Sequence, residues 1–73
     1  MPRTFSGHRF RTARRAAGLS ADEVATRIGR SSWSVFCYER GSVRPSIAIA
    51  DALADAVGRP LTDFLADDSK AAA

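Results

Sequence analysis

The side chains most often used in catalysis and metal binding are scarce in this sequence. His8 is the only histidine and Cys37 the only cysteine among 73 residues. No acidic residue stands at a spacing that would join either of them in a metal site or a nucleophile–base pair. A single cysteine also excludes an intrachain disulfide and suits a reducing compartment. We therefore expect no catalytic residues, no metal and no cofactor, and a protein that is not an enzyme.

Arginine is the side chain through which this sequence can act. Ten of the eleven basic residues are arginine, whose planar guanidinium suits phosphates and base edges better than the ammonium group of lysine. Residues 1–44 carry nine arginines against three acidic residues, a sum of +6, whereas residues 45–73 carry two basic and five acidic residues, a sum of −3. A codon bias would explain arginine over lysine but not this polarity. The first half therefore predicts a polyanionic partner, and nucleic acid in particular.

Size and hydropathy limit the class of protein. A chain of 73 residues with 45% hydrophobic content can build one small core but no deep enclosed site. No apolar run approaches the ~20 residues that span a bilayer, and the arginine-rich N-terminus is not followed by an apolar signal core. We expect a cytoplasmic protein that does not bind membranes, with one domain over residues 1–66 and a flexible tail over residues 67–73.

Five short helices are predicted to position the arginines. Serine stands at the expected helix starts and glycine just past the expected ends, and Ser20 with Glu23 forms a capping-box pattern. Sustained alternation of apolar and polar residues, which is typical of strands, is absent. The predicted helices cover residues 6–17, 21–28, 31–40, 46–57 and a last short segment capped by Thr62 that carries Phe64 and Leu65.

The third predicted helix, SSWSVFCYER, has more apolar residues than one face can bury. At 100° per residue, Val35 and Tyr38 share one face. The reverse choice would bury an unpaired arginine, so we expect Val35 and Tyr38 to enter the core. The residues left on the outer side are Trp33, Cys37 and Arg40, with Phe36 on the flank.

Glu39 lies at the edge of this predicted core, where a carboxylate needs a partner. Arg14 is in phase with Phe10 and Ala17 on the apolar face of the first helix, and arginine can offer a carboxylate two parallel N–H···O bonds. We expect Arg14 and Glu39 to form a structural ion pair. The alternative is that both side chains are solvated.

Residues 21–40 contain two short helices joined around Gly29, a spacing typical of a helix-turn-helix. The longer stretch GHRFRTARRAAGLSADEVATRIGRSSWSVFCYERGSVRPS resembles the XRE-like family of phage repressors and Cro. This resemblance covers about residues 7–65 and implies an all-α, five-helix DNA-binding domain that regulates transcription by blocking or recruiting polymerase. The family pattern matches without insertions or deletions. The matching residues are Arg14, Gly18-Leu19-Ser20, Glu23, Val24-Ala25, Gly29, Ser31, Val35, Glu39-Arg40-Gly41 and Pro45-Ser46.

The resemblance also implies roles for individual residues. The third helix is expected to enter the major groove of double-stranded DNA and to read base edges with its N-terminal part. The Arg14–Glu39 pair matches a buried ion pair of the phage repressors. The base-reading positions are Ser31, Ser32, Trp33 and Cys37. The backbone-contacting positions are Ala21, Arg40, Ser42 and Arg44, to which we add Arg30 just before the helix.

Two base-reading positions depart from the family. Trp33 and Cys37 stand where glutamine, arginine, serine, threonine or asparagine is usual, and neither can make the bidentate contacts that distinguish guanine or adenine. Both side chains can contact thymine methyl groups, and Trp33 can instead wedge between base steps or lie along sugars. A second hypothesis is that Trp33 and Phe36 bind a protein partner, as in an adaptor or antitoxin-like module. A third is that an exposed Cys37 beside Arg40 responds to oxidants.

One short helix makes few base contacts, so we expect a homodimer acting on a palindrome. Its half-sites would lie about 34 Å apart, roughly one turn of DNA. The expected dimer surface is on the last two helices, near Val57, Pro60 and Leu61.

Overall fold

The structure is a computed structural model that describes residues 3–67. Within this range it contains four α-helices, one 3-10 turn and two short strands. The elements in chain order are β1 (Arg3–Phe5), α1 (Gly7–Ala16), α2 (Ala21–Ile28), α3 (Ser32–Arg40), α4 (Ile47–Ala56), the 3-10 turn (Leu61–Phe64) and β2 (Leu65–Asp67). The mainly helical class and the first four predicted helices are confirmed, each helix end within one residue. Of the predicted tail, Asp67 ends β2 and residues 68–73 lie outside the described residues.

Serine begins all four α-helices for the reason that the sequence indicates. In each case the serine Oγ accepts the backbone N–H of the residue three positions on, which satisfies one of the free donors of the first turn. The capping box of Ser20 and Glu23 is present, because the Glu23 carboxylate also accepts the Ser20 N–H at 3.1 Å. The four capping residues are Ser6, Ser20, Ser31 and Ser46.

The prediction of a fifth α-helix is wrong. Residues 61–64 form a single 3-10 turn, and the position before it is Pro60, which makes no side-chain capping bond. Thr62 therefore lies inside the turn rather than at its cap, and Leu65 belongs to β2. The apolar residues Leu61, Phe64 and Leu65 are too few to form a full helical face. Leu61 and Phe64 lie in the turn, and Leu65 lies in the strand.

The sequence pattern also missed a two-stranded antiparallel sheet that joins the two ends of the described chain. β1 pairs with β2 in the register Phe5 opposite Leu65. Strands of three residues are too short to show an alternating pattern. The pairing packs the Phe5 ring 6.0 Å from Phe10 and 6.1 Å from Phe64, centroid to centroid. The three rings tie the sheet to α1, so α1 is held at both the sheet and the core.

The core lies where the four helices and the 3-10 turn meet. Its largest fully buried side chains are Phe10, Val24, Val35, Leu53 and Phe64. Full burial of each such side chain contributes about 1.5–3 kcal/mol. Because Val35 is among them, α3 is anchored by the face that the sequence predicts, and its opposite face is left at the surface.

Two glycines fix the position of α3. Gly29, with φ +70°, adopts the left-handed conformation that ends α2 and turns the chain into α3. Gly7 lies where the start of α1 meets the end of α3. A Cβ on Gly7 would come within 2.7 Å of backbone atoms of Tyr38 and Glu39. The absence of a side chain at Gly7 therefore lets α1 approach the backbone of α3 directly.

Candidate nucleic-acid interface

The predicted ion pair between α1 and α3 is present in the structure. Arg14 Nε donates to Glu39 Oε2 at 2.6 Å and Nη2 donates to Oε1 at 3.2 Å, with both residues 8% exposed. Arg14 Nη1 also donates to the Leu19 carbonyl at 2.9 Å. Every charged group of the pair is thus bonded, as buried charges require. The pair fixes the rotation of α3 relative to α1, and with it the residues that α3 exposes.

The exposed face of α3 combines aromatic and cationic side chains. Val35 and Tyr38 are buried as predicted, whereas Trp33 is 67% and Phe36 45% exposed. The guanidinium carbon of Arg40 lies 5.3 Å from the centroid of the Trp33 ring, within the range of a cation–π contact. Two large apolar side chains therefore remain in solvent beside a positive charge, in place of the polar residues usual for a surface helix.

The predicted exposure of Cys37 is wrong. Cys37 is only 7% exposed, and Val43 of the loop after α3 lines the same small pocket as Cys37. The N–H groups of Ser42 and Val43 both donate to the Cys37 carbonyl, at 3.0 and 3.4 Å. A helical wheel contains no information about such a loop. Cys37 instead lines the inner wall of a small pocket of about 140 Å³, whose exposed sides are Trp33 and Val43.

The predicted base-reading serines lie at the start of α3. Ser31 is exposed and caps the helix, with its Oγ accepting the Ser34 N–H at 3.2 Å and lying 3.2 Å from the Ser34 Oγ. Ser32 is half-buried. Ser31 thus has part of its hydrogen-bonding capacity committed to the fold, while the hydroxyl still faces solvent.

The arginines divide into two groups. Four of them are tied to the fold: Arg14 by Glu39, Arg9 by the Leu65 carbonyl, Arg27 by the Ala56 carbonyl at 2.6 Å, and Arg59 by Asp63. A second group is exposed and, among the described residues, forms no ion pair. This group consists of Arg11, Arg15, Arg30, Arg40 and Arg44. All five lie on α1 or on α3 and its flanking loops. Arg11, Arg15 and Arg40 lie beside Trp33 and Phe36, whereas Arg44 lines a separate groove with Ile47 and Leu61.

The remaining predicted backbone contacts differ in how far the structure supports them. Ser42 is exposed in the loop beside Arg44. Ala21 is 6% exposed, so any contact at the start of α2 runs through the backbone N–H rather than the side chain. Asp22 and Glu23 are exposed in the same turn. Their negative charge weakens the attraction of this helix end for phosphate.

Sequence reasoning missed the contribution of α1. An open cleft of about 300 Å³ lies between α1 and α3, lined on the α1 side by Arg11 and Arg15 and on the α3 side by Trp33, Phe36 and Arg40. The helical periodicity of α1 already indicates where Arg11 and Arg15 point. At 100° per residue, Arg11 and Arg15 lie 60° and 100° from Arg14, so a helix that points Arg14 at Glu39 turns both arginines toward the edge of α3.

The described residues contain no cluster of histidine, cysteine, aspartate or glutamate suited to a metal ion. His8 is exposed on α1. Within the same part of the chain, no helix has the length and apolar character needed to cross a bilayer.

The family model for the helix-turn-helix domain matches residues 7–65, and the chain belongs to that family. A Pyrobaculum aerophilum protein named as an HTH-type transcriptional regulatory protein is 34% identical over 59 residues, which is 81% of this chain. The chain spans 24% of the length of that relative. An uncharacterized HTH-type transcriptional regulator of Methanothermobacter thermautotrophicus is 34% identical over 50 residues, 68% of this chain and 72% of the relative.

Two solved structures share the fold. The restriction-modification controller protein C.AhdI of Aeromonas hydrophila matches with a TM-score of 0.74 and 32% identity, over 78% of this chain and 86% of its own. The clp gene regulator ClgR of C. glutamicum also matches with a TM-score of 0.74, at 24% identity over 78% of this chain and 74% of its own, a likeness of fold alone. The comparisons confirm the helix-turn-helix resemblance and the expectation that the chain is not an enzyme.

Proposed function

We propose that this chain is a cytoplasmic DNA-binding transcription regulator that inserts α3 into the major groove. The observation that carries the proposal is the exposed face of α3, where Trp33 and Arg40 stand on a helix-turn-helix scaffold. The exposed arginines around that face supply the positive charge that binding to phosphates requires. A helix with this surface suits a groove whose edges are negative and whose floor carries thymine methyl groups.

Base reading is assigned to the first turn of α3. Ser31 and Ser32 lie there with Trp33, whose ring and neighbouring pocket offer apolar contact. Such a surface recognises the C5 methyl of thymine better than a hydrogen-bonding edge. Cys37 is not part of this assignment, because its burial leaves it only as a wall of the pocket.

Contacts to the DNA backbone are assigned to Arg30, Arg40 and Arg44, with Ser42 and the Ala21 N–H as neutral donors. The three arginines are exposed before, at the end of and after α3. Phosphate contacts of this kind set the register of a helix on DNA but carry no sequence information.

A homodimer on a palindrome follows from the small size of the reading helix, which has nine residues. The proposed dimer surface contains Pro60, which is exposed, and Val57 and Leu61, which are half-buried. Ile47, at 82% exposure, borders the same region through a groove that it shares with Leu61. An apolar side chain left this exposed favours a protein contact over bulk water.

A second candidate function is an adaptor that binds a protein through Trp33 and Phe36. The specific observation behind it is that both aromatic side chains are exposed on one face of α3, and tryptophan is favoured at the centre of protein interfaces. In this case the same helix would bind a partner protein, and the arginines would serve solubility.

Titration of a fluorescent DNA duplex with the purified chain tests the proposal. Arg40→Ala and Arg44→Ala should weaken binding to all sequences and reduce its salt dependence, since each removes about one phosphate contact. Arg59→Ala is the matched control, because Arg59 pairs with Asp63 and should not change the salt slope. An affinity for duplex DNA that none of these arginines affects would favour the adaptor.

A further inference from the structure

Three arginines that line the cleft between α1 and α3 form no ion pair with any described residue. Arg11 and Arg15 are exposed on α1 and face Arg40 of α3 across the cleft. Arg14 also lines the cleft, but its charge is balanced by Glu39. Among the described residues no carboxylate pairs with Arg11, Arg15 or Arg40. The cleft therefore carries about three uncompensated positive charges.

This arrangement works against the stability of α1. Arginines at positions i and i+4 lie next to each other on a helix, and like charges at this spacing are destabilising by roughly 0.2–0.5 kcal/mol. Arg40 adds a third positive charge from the opposite wall of the cleft. Among the described residues Arg40 contacts the Trp33 ring, but no carboxylate pairs with Arg11, Arg15 or Arg40, so we expect a compensating negative charge to come from outside the chain.

We propose that Arg11 and Arg15 form a phosphate-binding site on α1 that holds the DNA strand bordering the groove occupied by α3. The inference rests on the proposed function and adds to it a contact from a different helix. The cleft is continuous with the proposed interface, because Trp33 and Arg40 belong both to the cleft and to the exposed face of α3. A strand that follows the edge of the groove thus passes from Arg40 to Arg15 and Arg11.

The phosphodiester is the ligand that this chemistry selects. A guanidinium group can donate two parallel N–H···O bonds to the oxygens of one phosphate, and it remains charged at every physiological pH. The cleft is open, with aromatic rings on one wall only, so it suits an extended, highly charged backbone better than an enclosed small molecule.

The experiment is a salt titration of the double variant Arg11→Gln/Arg15→Gln with a mixed-sequence DNA duplex, between about 50 and 200 mM salt. Binding to such a duplex depends almost entirely on phosphate contacts, and log K falls with log salt by about 0.9 for each phosphate neutralised. We expect the slope to become shallower by about 1.8. Arg11→Lys/Arg15→Lys should keep the wild-type slope, because both charges remain.

The matched control is Arg9→Gln/Arg59→Gln, which removes the same charge from a different groove, between α1 and the segment that follows α4. Circular dichroism of each variant checks that it is folded. A slope that is unchanged in Arg11→Gln/Arg15→Gln, or that falls equally in the control, would overturn the site on α1 while leaving the proposed function intact. A folded wild-type chain that does not bind the duplex would overturn both.

Discussion

Arg40 and Trp33 lie on the same face of α3, with the guanidinium carbon of Arg40 5.3 Å from the centroid of the indole ring. Arg40 Nη2 also lies 3.8 Å from Cys37 Sγ. Arg40 therefore contacts both an exposed ring and a buried thiol, and the cation–π contact favours this ring orientation by about 0.5–1 kcal/mol. A restrained aromatic side chain loses less conformational entropy on binding than a freely rotating one. The relationship gives the exposed face of α3 a defined shape before it meets a partner.

Trp33 should read thymine through its methyl group. In a selected DNA site, replacing each thymine in turn by deoxyuridine removes one methyl and should weaken binding about fourfold at the contacted position, since about 0.8 kcal/mol of apolar contact is lost. Trp33→Ala should bind the thymine and deoxyuridine sites equally. Competition titrations measure the ratio. Equal affinity of the wild-type chain for all these duplexes would contradict the assignment of Trp33.

The Arg14–Glu39 pair should be essential for stability. Glu39→Gln leaves the Arg14 charge buried and unpaired, which is expected to cost about 3–5 kcal/mol. Arg59→Gln breaks an exposed pair in which Arg59 Nη1 lies 3.5 Å from Asp63 Oδ2, and it should cost less than about 1 kcal/mol. Urea unfolding followed by circular dichroism compares the two. Similar losses in both variants would show that the buried pair has no special role.

Gly7 should tolerate no side chain. Gly7→Ala places a Cβ against the carbonyls of Tyr38 and Glu39, so α1 must move away from α3, at an expected cost of about 3 kcal/mol or more. Gly29→Ala is the comparison, because a Cβ there meets nothing within 4 Å and only the left-handed φ opposes it, at about 1–2 kcal/mol. Thermal unfolding of both variants measures the difference. A Gly7→Ala variant as stable as wild type would contradict the close approach of the two helices.

Ile47 and Leu61 should support self-association. Ile47→Asp replaces a large apolar side chain of α4 that is 82% exposed with a charged one and should shift a dimer to monomer in sedimentation analysis. Asp51→Asn, on the same helix and exposed, changes charge without touching the apolar groove and should leave the dimer intact. If the wild-type chain sediments as a monomer and still binds a palindrome, the proposal that Ile47 and Leu61 belong to a dimer surface is wrong.

The helical part of the fold was predictable because its signals are local. A serine cap and a left-handed glycine act within four residues, so Ser20, Glu23 and Gly29 mark both ends of α2 correctly. The sheet was not predictable, because Phe5 and Leu65 are paired by contacts between distant parts of the chain. Three-residue strands contain too few side chains to give a pattern.

The candidate site was predictable only where a helical wheel decides exposure. Trp33 and Arg40 are correctly placed outside, and Val35 inside. Cys37 was misplaced because a helical wheel leaves out the loop after α3, whose Ser42 and Val43 N–H groups donate to the Cys37 carbonyl. The direction of Arg11 follows from the predicted Arg14–Glu39 pair, but no sequence pattern marks the cleft between α1 and α3 that Arg11 lines.

Selection of bound sites from a random DNA library at physiological salt tests whether the chain binds DNA sequence-specifically through α3. We expect enrichment of a palindrome whose half-sites are about 34 Å apart and contain thymine, and a changed sequence preference for Trp33→Ala. A pool that remains random after repeated selection would contradict sequence-specific DNA binding through α3.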